Sequence, residues 1–374
     1  MKLIASILFI GVCAFGNAQS TPKEKITLEQ IWASGMFQPE YVYGLKSMND
    51  GVHYTLLDSD RGSTQKINQY AYSTGKLVKT LVDLSTISIP EAKGAPFKVD
   101  GYSFSSDEKK LLFSTQTERI YRHSTRSKYY VYDIASKKIE LLSTEKQRYA
   151  TFSPSGIQVA FVRDNNLFVK NLENSQEKQL TTDGKKNEII NGATDWVYEE
   201  EFAFDKAFFW SPTGNQIAYY RFDESKVREF NMPIYGSLYP QDNPFKYPKA
   251  GEDNSNVSIG VVELSSGKSS SYAPTNDVEY IPRVKWRSND NALIIYTMNR
   301  NQTLNLLTTT QWLSQAQFFT KKTTRPILIL QTTFMLLALI KALFIQAKNQ
   351  ASIICTTKAG MAQRITKLLK ATGK

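Results

Sequence analysis

Trp210-Ser211-Pro212-Thr213-Gly214-Asn215-Gln216-Ile217-Ala218-Tyr219-Tyr220 is the stretch that decides the fold. Proline presets φ at about −65° and glycine accepts φ > 0, so Ser-Pro-x-Gly turns a chain back on itself. The flanks, Phe208-Phe209 and Ile217–Tyr220, are aromatic and aliphatic, the residue types that fit a pleated surface. The stretch is predicted as a β-hairpin. Related copies are Phe104-Ser105-Ser106-Asp107 before Leu111-Leu112-Phe113, and Phe152-Ser153-Pro154-Ser155-Gly156 before Val159–Val162. Trp286-Arg287-Ser288-Asn289-Asp290 precedes Leu293–Tyr296, and a weaker copy runs from Leu45 to Tyr54.

A second hairpin often follows the first. Tyr129–Asp133 leads through Ala135–Lys138 to Ile139–Leu142, and Phe168–Leu172 and Val261–Gly267 are comparable. Two hairpins make a four-stranded sheet, and sheets repeating at blade-like spacing predict a β-propeller rather than a sandwich. The anchors lie 48 to 76 residues apart, which calls for loop insertions. The fold class is therefore all-β, a propeller of four-stranded blades with about five to six encoded.

Charge is unevenly placed. The 374 residues carry a net charge of +11, yet no Asp or Glu follows Asp290, and the eleven bases beyond it account for the excess. The body is neutral, which argues against a nucleic-acid partner and against a membrane one. Lys2, the apolar run Leu3–Phe15 and Gly16-Asn17-Ala18 read as a signal peptide over 1–18, predicting export to the periplasm or outside the cell. Cys13 and Cys355 are the two cysteines, so cleavage leaves no pair for an internal disulfide. With His53 and His123 the only histidines, no metal-ligand cluster is expected, and no cofactor.

Glu199-Glu200-Glu201 stand among Trp196, Tyr198, Phe202 and Phe204, after the end of one blade and before Trp210 opens the next. Neighbouring side chains on a strand point to opposite faces, so carboxylates converge only on a helical or bent segment. Crowded like charges are relieved by a cation between them, and a primary ammonium is a suitable guest. Arg122, in Tyr121-Arg122-His123-Ser124, offers a donor fork for a carbonyl or carboxylate.

The run Asp195-Trp196-Val197-Tyr198-Glu199-Glu200-Glu201 resembles the glutamate motif of the dipeptidyl peptidase IV group in the prolyl oligopeptidase family of serine peptidases. Tyr121–Ser124 resembles that family's arginine motif, and Phe208–Gly214 with Ala218–Phe222 its following blade. The resemblance covers about 25–310. It implies an eight-bladed propeller of which this chain holds an incomplete ring, exposed at its blade faces and edges and prone to aggregate. It also implies that Glu200 and Glu201 hold a substrate's free N-terminal ammonium and that Arg122 meets a backbone carbonyl. Peptides with a free N-terminus would be the partners, with a family-like homodimer.

The family cleaves with a Ser-His-Asp triad in a C-terminal α/β-hydrolase domain whose serine sits in Gly-x-Ser-x-Gly. No such sequence occurs here, so no catalytic residue is assigned and the chain is expected to be inactive alone. The domain reading is a signal peptide over 1–18, a propeller over 19–310 and an aberrant basic tail over 311–374. A frameshift accounts for that tail better than a membrane anchor or an amphipathic basic helix. Suitable codons for Thr320–Leu336, displaced by two nucleotides, read as an acid-bearing, strand-like sequence. The expected function is a truncated dipeptidyl peptidase IV-like serine exopeptidase that keeps the substrate-gripping glutamates. The alternative is a non-catalytic secreted propeller that binds peptides or a protein partner.

Overall fold

The predicted hairpin at Trp210 is formed. Gly214 donates to the Ser211 carbonyl at 2.9 Å with φ +74°, and Ser211 donates to the Gln216 carbonyl at 2.9 Å. Pro212 thus sits where no backbone donor is needed, and Gly214 where a side chain would be strained. The equivalent turn at Ser153–Gly156 closes by the same bond, with Gly156 at φ +70°.

These details come from a computed structural model that describes residues 25–37, 42–59, 64–89, 94, 96–274, 277–288, 291–301, 303–308 and 321–323. Strand residues 304–308 and 321–323 are described by their backbone alone. The signal-peptide reading over 1–18 lies outside the described residues, as does the tail apart from 321–323. The unit up to Lys46 holds one short helix, α1 (Leu28–Trp32). A reciprocal capping box between Thr27 and Gln30 starts it.

The second unit is built from antiparallel sheets taken in chain order. Blade one holds β1 (Lys46–Ser47), β2 (His53–Ser59), β3 (Gln65–Ala71) and β4 (Leu77–Asp83). Blade two holds β5 (Gly101–Phe104), β6 (Lys110–Arg119), β7 (Thr125–Asp133) and β8 (Ile139–Leu141). Blade three holds β9 (Arg148–Phe152), β10 (Gln158–Arg163), β11 (Asn166–Asn171) and β12 (Glu177–Gln179).

Blade four is irregular. Its strands are β13 (Ile189–Asn191), β14 (Phe208–Trp210), β15 (Gln216–Asp223), β18 (Asn256–Glu263) and β19 (Ser269–Tyr272). Between β15 and β18 a two-stranded ribbon is inserted, β16 (Glu229–Ile234) with β17 (Gln241–Lys246). Blade five holds β20 (Tyr280–Trp286), β21 (Leu293–Met298), β22 (Leu304–Thr308) and β23 (Lys321–Thr323). The β23 backbone pairs with β22 through Leu306↔Lys321, inside the stretch that composition set apart as a tail.

First strands of successive blades converge. The Trp210 indole of β14 donates to the Thr151 carbonyl of β9 at 3.2 Å, and the Trp286 indole of β20 donates to the Phe209 carbonyl at 2.9 Å. The fourth strand of blade three, β12, is exposed along its length. Apolar cores fill the spaces between blades. One joins blades one and two around Leu111 and Phe113, and another joins blades two and three around Phe161. The largest runs through blades three, four and five around Tyr198, Tyr220 and Phe222.

The glutamate run lies inside blade four, not between blades. β13 pairs with the far end of β15 (Asn191↔Arg221) and β14 with its near end (Phe208↔Tyr219), so both continue one innermost edge. The chain leaves that edge at Gly192 and rejoins it at Ala207, whose amide donates to the Gly192 carbonyl at 3.0 Å. Gly192 has φ +76°, as the departure requires. The pinched excursion carries α2 (Trp196–Glu201).

Candidate functional site

Asp195 starts α2 as its N-cap. Its carboxylate accepts from the Tyr198 amide at 2.9 Å and from the Ser255 hydroxyl at 2.7 Å. The group is buried, and burial raises its pKa, with those two bonds pulling the other way. Tyr198 is almost fully buried, and its hydroxyl accepts from the Ile281 amide of β20 at 2.8 Å. Arg283 of the same strand donates to the Phe202 carbonyl at 2.6 Å. The helix is thus tied to blades four and five.

The three glutamates part company. Glu199 is fully buried, and its Oε1 accepts from the His123 amide at 2.6 Å and the Ser124 amide at 2.9 Å. Those amides belong to the β6–β7 connection of blade two, the loop that carries Arg122. Glu200, 17% exposed, accepts from Arg122 Nε at 3.2 Å, while the Arg122 side chain is 72% exposed. An ion pair that open is worth well under about 1 kcal/mol and yields readily to a guest. Glu201 ends the helix in solvent. The structure therefore brings Glu200 and Arg122 together, sets Glu201 one residue on, and gives Glu199 to the loop.

Aromatic residues back the site. Trp196 packs edge-on to Tyr247 at 4.4 Å between centroids, and Tyr121 meets Phe245 at 5.6 Å. Phe245 and Tyr247 sit at the root of the β16–β17 ribbon. Burial pushes the Tyr121 phenol up to about 12, helped by the Glu224 charge, so it stays neutral. Tyr149, on β9 with φ +60°, holds a strained conformation beside Arg148, whose guanidinium donates to its hydroxyl at 2.8 Å. Sequence patterns gave no sign of Glu199 as the brace of the arginine loop, or of Tyr149. Only its place in a β-strand with a following Ser-Pro turn could have drawn attention to the latter.

Glu224 lies buried below this cluster, its carboxyl pushed up to about 7, first by burial and then by the Asp195 charge. Its folded-state pKa lies above the unfolded value of about 4.3, so the folded state holds the proton more tightly. Stability is full below the unfolded value, falls as pH rises through about 7, and stays reduced above it. Glu224→Gln is expected to be more stable than the parent by about 2–3 kcal/mol near pH 8, the gap closing near pH 4. Urea midpoints at the two pH values check this, and an equal gap at both would refute it.

Among the described residues no group of ligating side chains is placed to hold a metal ion, and no helix is long and apolar enough to cross a membrane.

Four-stranded antiparallel blades in sequence, converging on their first strands, define a β-propeller module, here with a glutamate-bearing helix looped in from one inner edge. The chain belongs to the family described as the dipeptidyl peptidase IV N-terminal region, whose profile matches residues 105–359. Dipeptidyl aminopeptidase B of Saccharomyces cerevisiae is 34% identical over 207 residues, covering 54% of this chain and 24% of that protein. A protein named inactive dipeptidyl peptidase 10, from Mus musculus, is 31% identical over 77% of this chain and 36% of its own length. The crystal structure of Porphyromonas gingivalis dipeptidyl peptidase 4 superposes with a TM-score of 0.70 and 39% identity, covering 81% of this chain and 43% of that one. The chain spans less than half the length of each of these relatives.

Proposed function

We propose that this chain is the substrate-gripping part of a dipeptidyl peptidase IV-type serine exopeptidase and binds peptides by a free N-terminus without cleaving them alone. The observation that supports this reading is the contact between Glu200 on α2 and Arg122 on the β6–β7 connection, with Glu201 next on the same helix. A peptide ammonium would exchange the weak Arg122–Glu200 pair for charge-assisted bonds to both carboxylates. The released Arg122 fork would then take the peptide's carbonyl. Cutting needs an activated nucleophile, its base and an oxyanion hole, and the sequence contains no Gly-x-Ser-x-Gly to supply the first. The same reading makes the chain an exported one.

A titration with Gly-Pro-Ala tests the proposal. Saturable binding is expected, with the N-acetylated peptide weaker by tenfold or more, about 1.4 kcal/mol. Glu200→Ala with Glu201→Ala should abolish the difference between the two peptides. Equal binding of free and acetylated peptides would sink the reading, and turnover of a chromogenic Gly-Pro substrate would overturn the claim that it does not cut.

A further inference from the structure

Lys206 stands where two cavities meet, at an isolated bridge to Ala193 where the chain returns from the α2 excursion. One cavity, of about 590 Å³, is walled by Phe104, Thr151, Phe152 and Pro154, and the other, of about 490 Å³, by Phe204, Tyr220, Arg283 and Trp286. Lys206, Phe209 and Trp210 line both, and among the described residues no aspartate or glutamate lines either. The cavity walls are mostly ring and aliphatic carbon, with basic groups set into them.

Two of the cations in these walls, Lys206 and Arg283, are bonded to neutral acceptors. The Lys206 ammonium donates to the Thr151 hydroxyl at 3.0 Å and lies 4.9 Å from the centre of the Phe208 ring. Arg283 donates to the Pro282 and Phe202 carbonyls, both at 2.6 Å, and lies over the Phe204 ring. Asp205 is the acid next in sequence. Its carboxylate accepts from the Lys206 backbone amide at 2.9 Å and acts on the ammonium only through space. A half-buried cation with no ion pair of its own is costly, and a guest anion lowers that cost.

We propose that the Lys206 cavity binds a monoanionic carboxylate carrying an apolar, ring-sized body. The carboxylate would sit on the Lys206 ammonium and the body against Phe209 and Trp210. Among the described residues lining the first cavity Lys206 is the one basic group, so one ammonium there matches one negative charge, whereas a phosphate dianion would bring a second charge with no cation to meet it. The site is separate from the glutamates. Thr151–Pro154 mark one end of β9 and its turn, and Arg148 with Tyr149, which feels the Glu199 charge, mark the other. Because burial lowers the Lys206 pKa to about 8, the cation is present below that value and lost above it. Arg283, which faces the second cavity from β20 beside Lys285, is a guanidinium and keeps its charge over that range.

Fluorescence and calorimetric titrations of the full chain with N-acetylphenylalanine and its amide test this, the acetyl group keeping both out of an ammonium site. Saturable binding of the acid is expected, weakened tenfold or more between about pH 6.5 and about pH 9.5, with no saturation by the amide. Lys206→Met should lose the binding, and Lys206→Arg should keep it at both pH values. The arginine variant holds the test open if methionine impairs folding. Phenylacetate and an N-acetylated tripeptide ending in phenylalanine separate the sources. Binding of both marks a site for small acids, and binding of the tripeptide alone a site for peptide C-termini. Equal binding of acid and amide, or undiminished binding by Lys206→Met, would overturn the assignment.

Discussion

Replacing Glu199 by alanine is expected to lower stability by about 2–4 kcal/mol and to weaken peptide binding at the neighbouring site. The change removes the acceptor of the half-buried His123 amide and of the buried Ser124 amide, and an unpaired buried donor costs about 1–3 kcal/mol. It also frees the loop that holds Arg122 against Glu200. Glu199→Gln keeps an oxygen for both amides and should cost about 1 kcal/mol or less. Urea unfolding gives the first number, and titration with a free-amine peptide gives the second. Alanine and glutamine variants of equal stability would show that the loop does not depend on this carboxylate.

The largest loss is expected at Tyr198. Its ring packs against Phe202, Phe204, Tyr220 and Phe222, with centroid separations of 4.8 to 6.2 Å. Truncation to alanine empties that space, at about 3–5 kcal/mol. Tyr198→Phe isolates the hydroxyl, leaving the Ile281 amide without its partner at about 1–2 kcal/mol. Thermal melts of the two variants separate packing from hydrogen bonding. If the phenylalanine variant melts with the parent, the link to β20 contributes nothing measurable.

Local chemistry was legible in the sequence, and long-range placement was not. Ser-Pro-x-Gly turns specify hairpins within a dozen residues, which is why the blade repeat and its all-β class could be read from Trp210 outward. A cluster of adjacent carboxylates could be read as helical for a similarly local reason. Its location inside blade four could not. β13 is three residues long, carries no turn signal, and finds its partner about thirty residues later on β15. The division of labour among the glutamates depends on that location, because only a helix entering from the inner edge turns Glu199 toward blade two. The ribbon also escaped notice, since Pro233 and Pro244 interrupt any strand-like alternation in β16 and β17. It accounts for the longest gap between blade anchors.

The fastening of α2 sets a timetable for the nascent chain. Its docking partners are Ser124 of blade two, made about seventy residues earlier, and Ile281 and Arg283 of blade five, made about eighty residues later. While the ribosome is still adding blade four, the helix has its anchor on one side and an empty berth on the other. The final setting of α2 should therefore come late and abruptly, when β20 emerges. Ribosome-stalled chains ending before Tyr280 would hold the glutamates without the means to aim them.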